Sequence, residues 1–468
     1  MDTPDDRPAP AAAGWALAAL SLAMILSSLG TSIANVALPT LAQVFGVTFQ
    51  HVQWVVLAYL LAVTTLVVSV GRLGDLIGRK RLLLAGLALF TAASLLCGLS
   101  PGFWLLIAAR ALQGVGGAVM MALTLAFVGE IVAAERAGSA MGLLGTMSSV
   151  GTATGPFLGG ALIAATSWRS LFLLNVPLGL AALFLAHRYL PADRAGPRAA
   201  AGFDKTGTVL LGLSLAAYAI AMTTGRGHFG LVNAGLLVVA AIGVAVFLRV
   251  EKRAPFPLLD PALFGDRALS TGLGLSILVS SVAMASLVVG PFYLALGLEM
   301  SPASIGLVLA VGPIVAAFSG VPAGRLVDRF KPRAVMVGGL CVMGAGSAAL
   351  AVTPPSFGVG GYLAAMVVLT IGYAFFQASN NTGVMAGIPR DRRGAVSGML
   401  NLARNLGLVT GASLMGAIFL LATGATELSS AGTAAISTGF HVTFGLSAVL
   451  IAVAVLLARR AGRPTTPG

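Results

Sequence analysis

The sequence predicts an all-α, polytopic membrane protein of fourteen transmembrane helices, arranged as two pseudo-symmetric six-helix bundles with two helices inserted between them. Three observations predict it. Apolar runs of about 20 residues, enough to span a bilayer core, recur along the whole chain. Only 9% of the 468 residues are charged and 57% are hydrophobic, far from the balance of a soluble domain. Finally, loop and glycine patterns in the first half return in the second.

The apolar runs place helices near 14–38, 51–70, 82–99, 103–128, 139–163, 170–189, 207–224, 230–249, 269–297, 303–323, 334–353, 358–384, 394–423 and 438–458. An even number of crossings leaves both termini on one side. With the N-terminus cytoplasmic, 24 of the 28 Lys and Arg fall in cytoplasmic segments. Arg169 and Arg226 fall outside, and Arg110 and Arg404 sit within spans. The positive-inside rule therefore predicts an inner-membrane protein with both termini in the cytoplasm. Trp15, Trp54, Trp104 and Trp168 fall at predicted helix ends, as an interfacial aromatic belt requires.

The opening MDTPDDRPAPAAAG lacks a basic n-region and a cleavage site, so it reads as a short cytosolic tail, as does RRAGRPTTPG at the other end. The formal charge of +13 lies in the inner loops, where it sets topology and speaks against a nucleic-acid partner. Cys97 and Cys341 fall inside spans and are expected to be free, buried thiols without a disulfide or metal role.

Two repeats fix the organisation. GRLGDLIGRKR after the second span (Gly71 to Arg81) returns as GRLVDRFKPR after the tenth (Gly324 to Arg333). At an offset of 256, Gly142, Gly151, Gly155 and Gly160 of the fifth span match Gly398, Gly407, Gly411 and Gly416 of the thirteenth. The chain then divides into an N-terminal bundle (1–189), a linker with two extra helices (190–268) and a C-terminal bundle (269–468). Duplicated six-helix halves are the sign of a rocking-bundle transporter.

GRLGDLIGRKR resembles the loop motif of the major facilitator superfamily, GTATGPFLGG (151–160) its glycine–proline antiporter motif, and ARALQGVGGA (109–118) its span-4 arginine motif. With NVALP (35–39), WRSLFLLNVPLG (168–179), FFQASNNTGVM (375–385) and the span count, the chain resembles the fourteen-span drug–proton antiporter branch. The resemblance implies a secondary transporter that exports small amphipathic or drug-like molecules by alternating access, with protons as the coupling ion. The alternative is a facilitator or importer of one neutral or anionic metabolite without proton coupling. Partners would be the small-molecule substrate and the lipid bilayer, and no cofactor or metal is implied.

Within the loop motif, Asp75 would sit among Arg72, Arg79 and Lys80 at the cytoplasmic mouth, turned by Gly71 and Gly78. With Glu130, Glu135 and the repeat's Asp328, it forms a candidate latch that ties the halves together in one state. Gly151, Gly155 and Gly159 form one flat stripe on the fifth span, continued by Gly160 and kinked by Pro156. Gly312, Ala316, Gly320 and Gly324 form another on the tenth, with Pro313. Small residues let helix backbones approach closely in lipid, so the two stripes are expected to face each other as a pivot.

The resemblance places the first and fourth helices of each half around a central cavity. Their polar residues are Ser28, Thr31, Ser32 and Asn35; Arg110 and Gln113; and Gln377, Asn380 and Asn381, with Phe292 and Tyr293 closing the ninth span. Arg404 in the thirteenth span, beside Asn401 and Asn405, joins the candidates. None of the fifteen Asp and Glu lies in the middle of a span. The resembled branch carries an Asp before NVALP, where this chain has Gly30. Glu130, His51 and His441 remain as proton carriers, each at a helix end. Guanidiniums without a carboxylate favour neutral, zwitterionic or anionic substrates over dedicated cations. An ATP-driven pump is excluded by the lack of a GxxxxGK[ST] loop, and a metalloenzyme by four scattered histidines without HExxH.

Overall fold

The computed structural model describes residues 10–132, 137–193, 204–224, 230–254, 266–386, 388, 393–425 and 428–460, and their regular structure is entirely helical. The helices are α1 (Pro10–Phe45), α2 (Phe49–Ile77), α3 (Arg79–Leu99), α4 (Phe103–Ile131), α5 (Ala137–Ala165) and α6 (Arg169–Tyr189, interrupted at Leu174). Next come α7 (Lys205–Thr223) and α8 (Leu231–Glu251). The last six are α9 (Arg267–Gly297), α10 (Pro302–Arg329), α11 (Pro332–Val352), α12 (Gly358–Met385), α13 (Arg393–Thr410, extended to Thr423) and α14 (Thr433–Arg460). Thirteen described segments are long and apolar enough to cross a bilayer. The fourteenth helix, glycine-rich α5, runs along α1 and α10. This is a multi-pass membrane protein.

Connections of a few residues force successive helices antiparallel. The tightest is Gly78, one residue between α2 and α3, at φ +104°, a conformation that a side chain would strain. α1 outruns its expected end at 38, continuing through Pro39 to Phe45. Proline removes one N–H from the ladder, and the extension is held by Phe45 against Phe103 and Trp168, ring centroids 5.8 and 5.3 Å away. α9 and α13 each contain a π turn, Tyr293–Gly297 and Gly411–Met415. Cys97 is buried as expected, but Cys341 is exposed on the outer face of α11, because a span at the rim of a bundle turns one side to lipid.

The duplication is visible in packing. Gly151 of α5 lies against the Ile25 carbonyl and Ser28 of α1. Its counterpart Gly407 of α13 lies against the Ile277 carbonyl and Ser280 of α9. The inserted helices sit to one side. α7 binds α2 through Ser69 and Thr208 (Oγ to Oγ1, 2.8 Å) and through the Trp54 indole, which donates to Thr223 at 3.1 Å. Leu211 and Leu215 of α7 also join an apolar cluster with Val396, Met399 and Leu400 of α13. α8 packs on α7 and is otherwise turned outward; Leu231 is 93% exposed.

Candidate functional site

The halves meet along two symmetry-related flanks, and the close approaches of backbone on each lie toward the end of the bundle remote from the chain termini. On one flank α5 meets α10 glycine to glycine. A methyl group on Gly160 would lie 2.7 Å from the Gly306 Cα, and one on Gly306 would lie 2.6 Å from the Pro156 carbonyl oxygen. On the other flank α2 meets α13. The Gln53 side chain covers Gly416 and donates Nε2–H to the Ala412 carbonyl at 3.1 Å. By the repeat, Gln53 stands where Gly306 stands and Ala412 where Pro156 does. Phe49 packs edge-on to Phe292 (4.7 Å) and against Phe419 (5.5 Å) beside it.

The glycine stripes do not face each other, which corrects the sequence expectation. Gly151, Gly155 and Gly159 pack on α1 within their own half, against Ser28, Ser32 and Val36. Gly312 packs near Thr370 of α12, and Gly320 and Gly324 meet nothing within 4 Å. Close packing is what small residues provide, and it is used mainly inside each bundle. Of the expected pivot, Gly160 and Pro156 lie at the seam, and their partner is Gly306.

Below this closed end lies a cavity of about 170 Å³ between the halves. Ser28, Thr31 and Ser32 of α1 line it as expected, with Ser148 and Thr152 of α5 opposite. The second half contributes Ser286 of α9, Gly312 and Pro313 of α10, Thr370 and Tyr373 of α12, and Arg404 and Asn405 of α13, among apolar residues. Ser28 and Ser148 share a hydrogen bond at 2.7 Å. The hydroxyls of Thr31, Thr152 and Ser286 donate to carbonyls of their own helices, so they offer oxygen rather than a proton to the cavity. Among the described residues lining it, none is Asp, Glu or His, and Arg404 carries the charge. Arg404 Nε and Asn405 Nδ2 are buried without a hydrogen-bond partner.

This architecture, twelve helices in two like bundles around a central cavity, has a counterpart among known proteins. The family model for the Major Facilitator Superfamily matches residues 20–412. The chain belongs to the major facilitator superfamily. It is 33% identical over 453 residues to an uncharacterized transporter, YebQ, of Escherichia coli, covering 96% of this chain and 95% of that one. It is 32% identical over 428 residues to the multidrug efflux pump LfrA of Mycolicibacterium smegmatis, covering 89% of this chain and 83% of that one. An inward-facing, unoccupied bacterial homologue of the human lysosomal transporter Spinster superposes with a TM-score of 0.72 at 16% identity, covering 97% and 98% of the two chains. That likeness speaks for the fold.

Several residues expected at the centre of this facilitator-superfamily bundle are elsewhere. Arg110 is fully buried inside the first half and does not line the central cavity. It donates to the Val55 carbonyl of α2 (2.7 Å), the Gly30 carbonyl of α1 (3.0 Å) and Gln113 Oε1. Its guanidinium lies 4.5 Å from the Tyr59 ring, and Gln113 donates on to Ser94 of α3. Gly114, Gly116 and Gly117 let α2 and α3 close around α4 here. The motif thus clamps four helices, because the shared face of Arg110 and Gln113 turns inward to the bundle. Asn35 bonds the Thr31 and Ser32 carbonyls of its own helix. Asn380 donates to the Gly272 carbonyl of α9 at 3.2 Å. Gln377 and Asn381 lie off the cavity, Asn381 exposed. Tyr293 stacks on Phe440 at 3.9 Å, and Phe292 lines a separate cavity of about 380 Å³ beside the α1–α2 turn, with Pro39, Gln43 and Leu428.

Of the latch residues, the side chains of Arg72, Asp75 and Glu130, and all of Glu135, lie outside the described residues. The described part of the motif binds within its own half. The Asp193 carboxylate, just beyond α6, accepts the backbone N–H groups of Lys80 (2.9 Å) and Arg81 (3.2 Å), capping α3. Lys80 Nζ donates to the Leu190 carbonyl at 2.6 Å. Gly71 has open space beside it, Arg79 is half-buried, and Asp328 is exposed. Asp193 was not singled out from sequence, since its partner lies over a hundred residues away. Asp193→Ala is expected to cost about 0.5–2 kcal/mol, the range for a lost N-cap, read as a lower apparent melting temperature of the purified protein. His51 bonds Thr48 Oγ1, and His441 the Thr353 carbonyl, both at 3.0 Å and remote from the cavity.

Proposed function

We propose that the chain is a secondary exporter of small amphipathic molecules, working by alternating access, with both termini in the cytoplasm and a proton moving opposite to the substrate. One observation carries the reading: a mixed polar and apolar cavity lies between two like bundles that meet along two flanks, with close glycine and glutamine contacts toward one end. Such a seam separates without unpacking either bundle, so the cavity can open to each compartment in turn. Placing the basic loops on the cytoplasmic side makes the sealed end the outer one. The fourteen-span count, the glycine–proline motif and the likeness to a multidrug efflux pump support export of drug-like compounds.

A second reading, a facilitator of one neutral or anionic metabolite without protons, is favoured by the absence of Asp, Glu and His among the described cavity-lining residues. Proton coupling needs a titratable group that both compartments reach in turn. Reconstitution into proteoliposomes separates the two. Under the first reading, an imposed pH gradient drives substrate counterflow and substrate addition moves protons. Equal fluxes with and without the gradient would establish the facilitator.

A further inference from the structure

We infer that Arg404 and Asn405 form an anion subsite of the central cavity, so that the preferred cargo is an amphipathic anion: a carboxylate, sulfonate or phosphate on an apolar body. The inference rests on the transporter reading above and names its substrate class. Arg404 and Asn405 are adjacent on α13, and both line the cavity. Asn405 is 6% exposed, and its amide Nδ2 is buried with no acceptor, as is Arg404 Nε. Buried N–H groups are normally satisfied, and an unsatisfied one calls for an explanation.

The rest of the lining does not supply one. No carboxylate is among the described lining residues, and the hydroxyls of Thr31, Thr152 and Ser286 already donate within their helices. One wall of the cavity therefore carries a guanidinium, with two unpaired N–H groups buried just behind its surface that an occupant could reach through a small shift of either side chain. Elsewhere the cavity offers oxygen acceptors and apolar surface from Leu60, Met284 and Leu408. An anion gains charge-assisted, fork-shaped hydrogen bonds from a guanidinium, whereas a cation meets repulsion. Arg110 shows the contrast: each of its three nitrogens donates to a carbonyl or to Gln113, and the side chain is fully buried away from this cavity.

The test uses three probes of one shape: 2-naphthoate (anion), 2-naphthamide (neutral) and 2-naphthamidine (cation). Equilibrium binding to the purified full-length protein in lipid nanodiscs, with empty discs subtracted, gives three Kd values. Naphthoate is expected to bind at least about ten-fold tighter than naphthamide, the scale of one charge-assisted hydrogen bond. Arg404→Gln should erase that margin and Arg404→Lys should keep part of it, with both variants eluting as wild type on gel filtration. Tighter binding of the amide or amidine, an unchanged margin in Arg404→Gln, or no binding of any probe would overturn the subsite. Because the readout is selectivity at equilibrium, such a failure leaves the flux experiments on export to be judged on their own.

Discussion

Gly160→Leu is expected to fold normally and to transport at roughly a tenth of the wild-type rate or less, given about 1–3 kcal/mol for overpacking and a ten-fold population change per 1.4 kcal/mol. The groups in the way are backbone: the Gly306 Cα and the Pro302 carbonyl oxygen each lie 2.7 Å from where the first side-chain carbon would be. Backbone cannot swing aside as a flexible side chain can, so relief comes by separating α5 from α10. Folding is spared because the glycines that pack α5 onto α1 are Gly151, Gly155 and Gly159. The sealed end would stand open for most of the time, and the cycle would stall. Two measurements check this: flux in proteoliposomes, and labelling of Thr31→Cys, at a half-buried position on the cavity wall, by an impermeant maleimide applied from the sealed side. Labelling should rise as flux falls; unchanged labelling would remove Gly160 from the seal.

Arg110→Ala is expected to act on stability instead. Its three acceptors belong to α1, α2 and α4, and removing the guanidinium leaves the Gly30 and Val55 carbonyls and Gln113 Oε1 without this donor. Leaving a buried acceptor without its donor costs about 1–3 kcal/mol, and three are left here along with the space of the lost side chain. That is a large share of the roughly 5–15 kcal/mol that holds a typical protein folded. The variant should aggregate on extraction or melt far below wild type, with no rescue by substrate. Arg110→Lys should restore little, since one ammonium on a flexible stem cannot reach three acceptors at fixed angles. Normal melting with a lost substrate affinity would return Arg110 to the binding site.

These expectations show where a single sequence stops being legible. Helix number and the repeat were readable because hydrophobic length and glycine spacing are set by the bilayer and by close packing. Ser28, Thr31, Ser32 and Arg404 were readable as cavity residues because polar groups in a span need water, a ligand or a partner. The same logic mislaid Arg110 and Asn380. In a bundle every helix has several buried faces, and a polar residue on one of them finds a neighbouring carbonyl as readily as a cavity. The glycines at 114, 116 and 117 were the available sign that α4 is enclosed at Arg110. The stripes were misassigned for a similar reason, since spacing declares that a helix is approached closely but not by which neighbour. Ser148, just ahead of the glycine–proline motif, and Thr152, its second residue, lie four apart and carried a cavity signal that was available and unused.

The placement of α7 gives the molecule two unlike sides. A compound dissolved in the lipid finds the crevice between α2 and α13 shuttered by an extra helix, with α8 as a second board behind it. Around α5 and α10 there is no such shutter among the described residues, and bare glycine backbone at positions 320 and 324 borders open space. The two flanks of the seam therefore meet the membrane unequally, one behind added helices and one directly, although the bundles themselves are near copies.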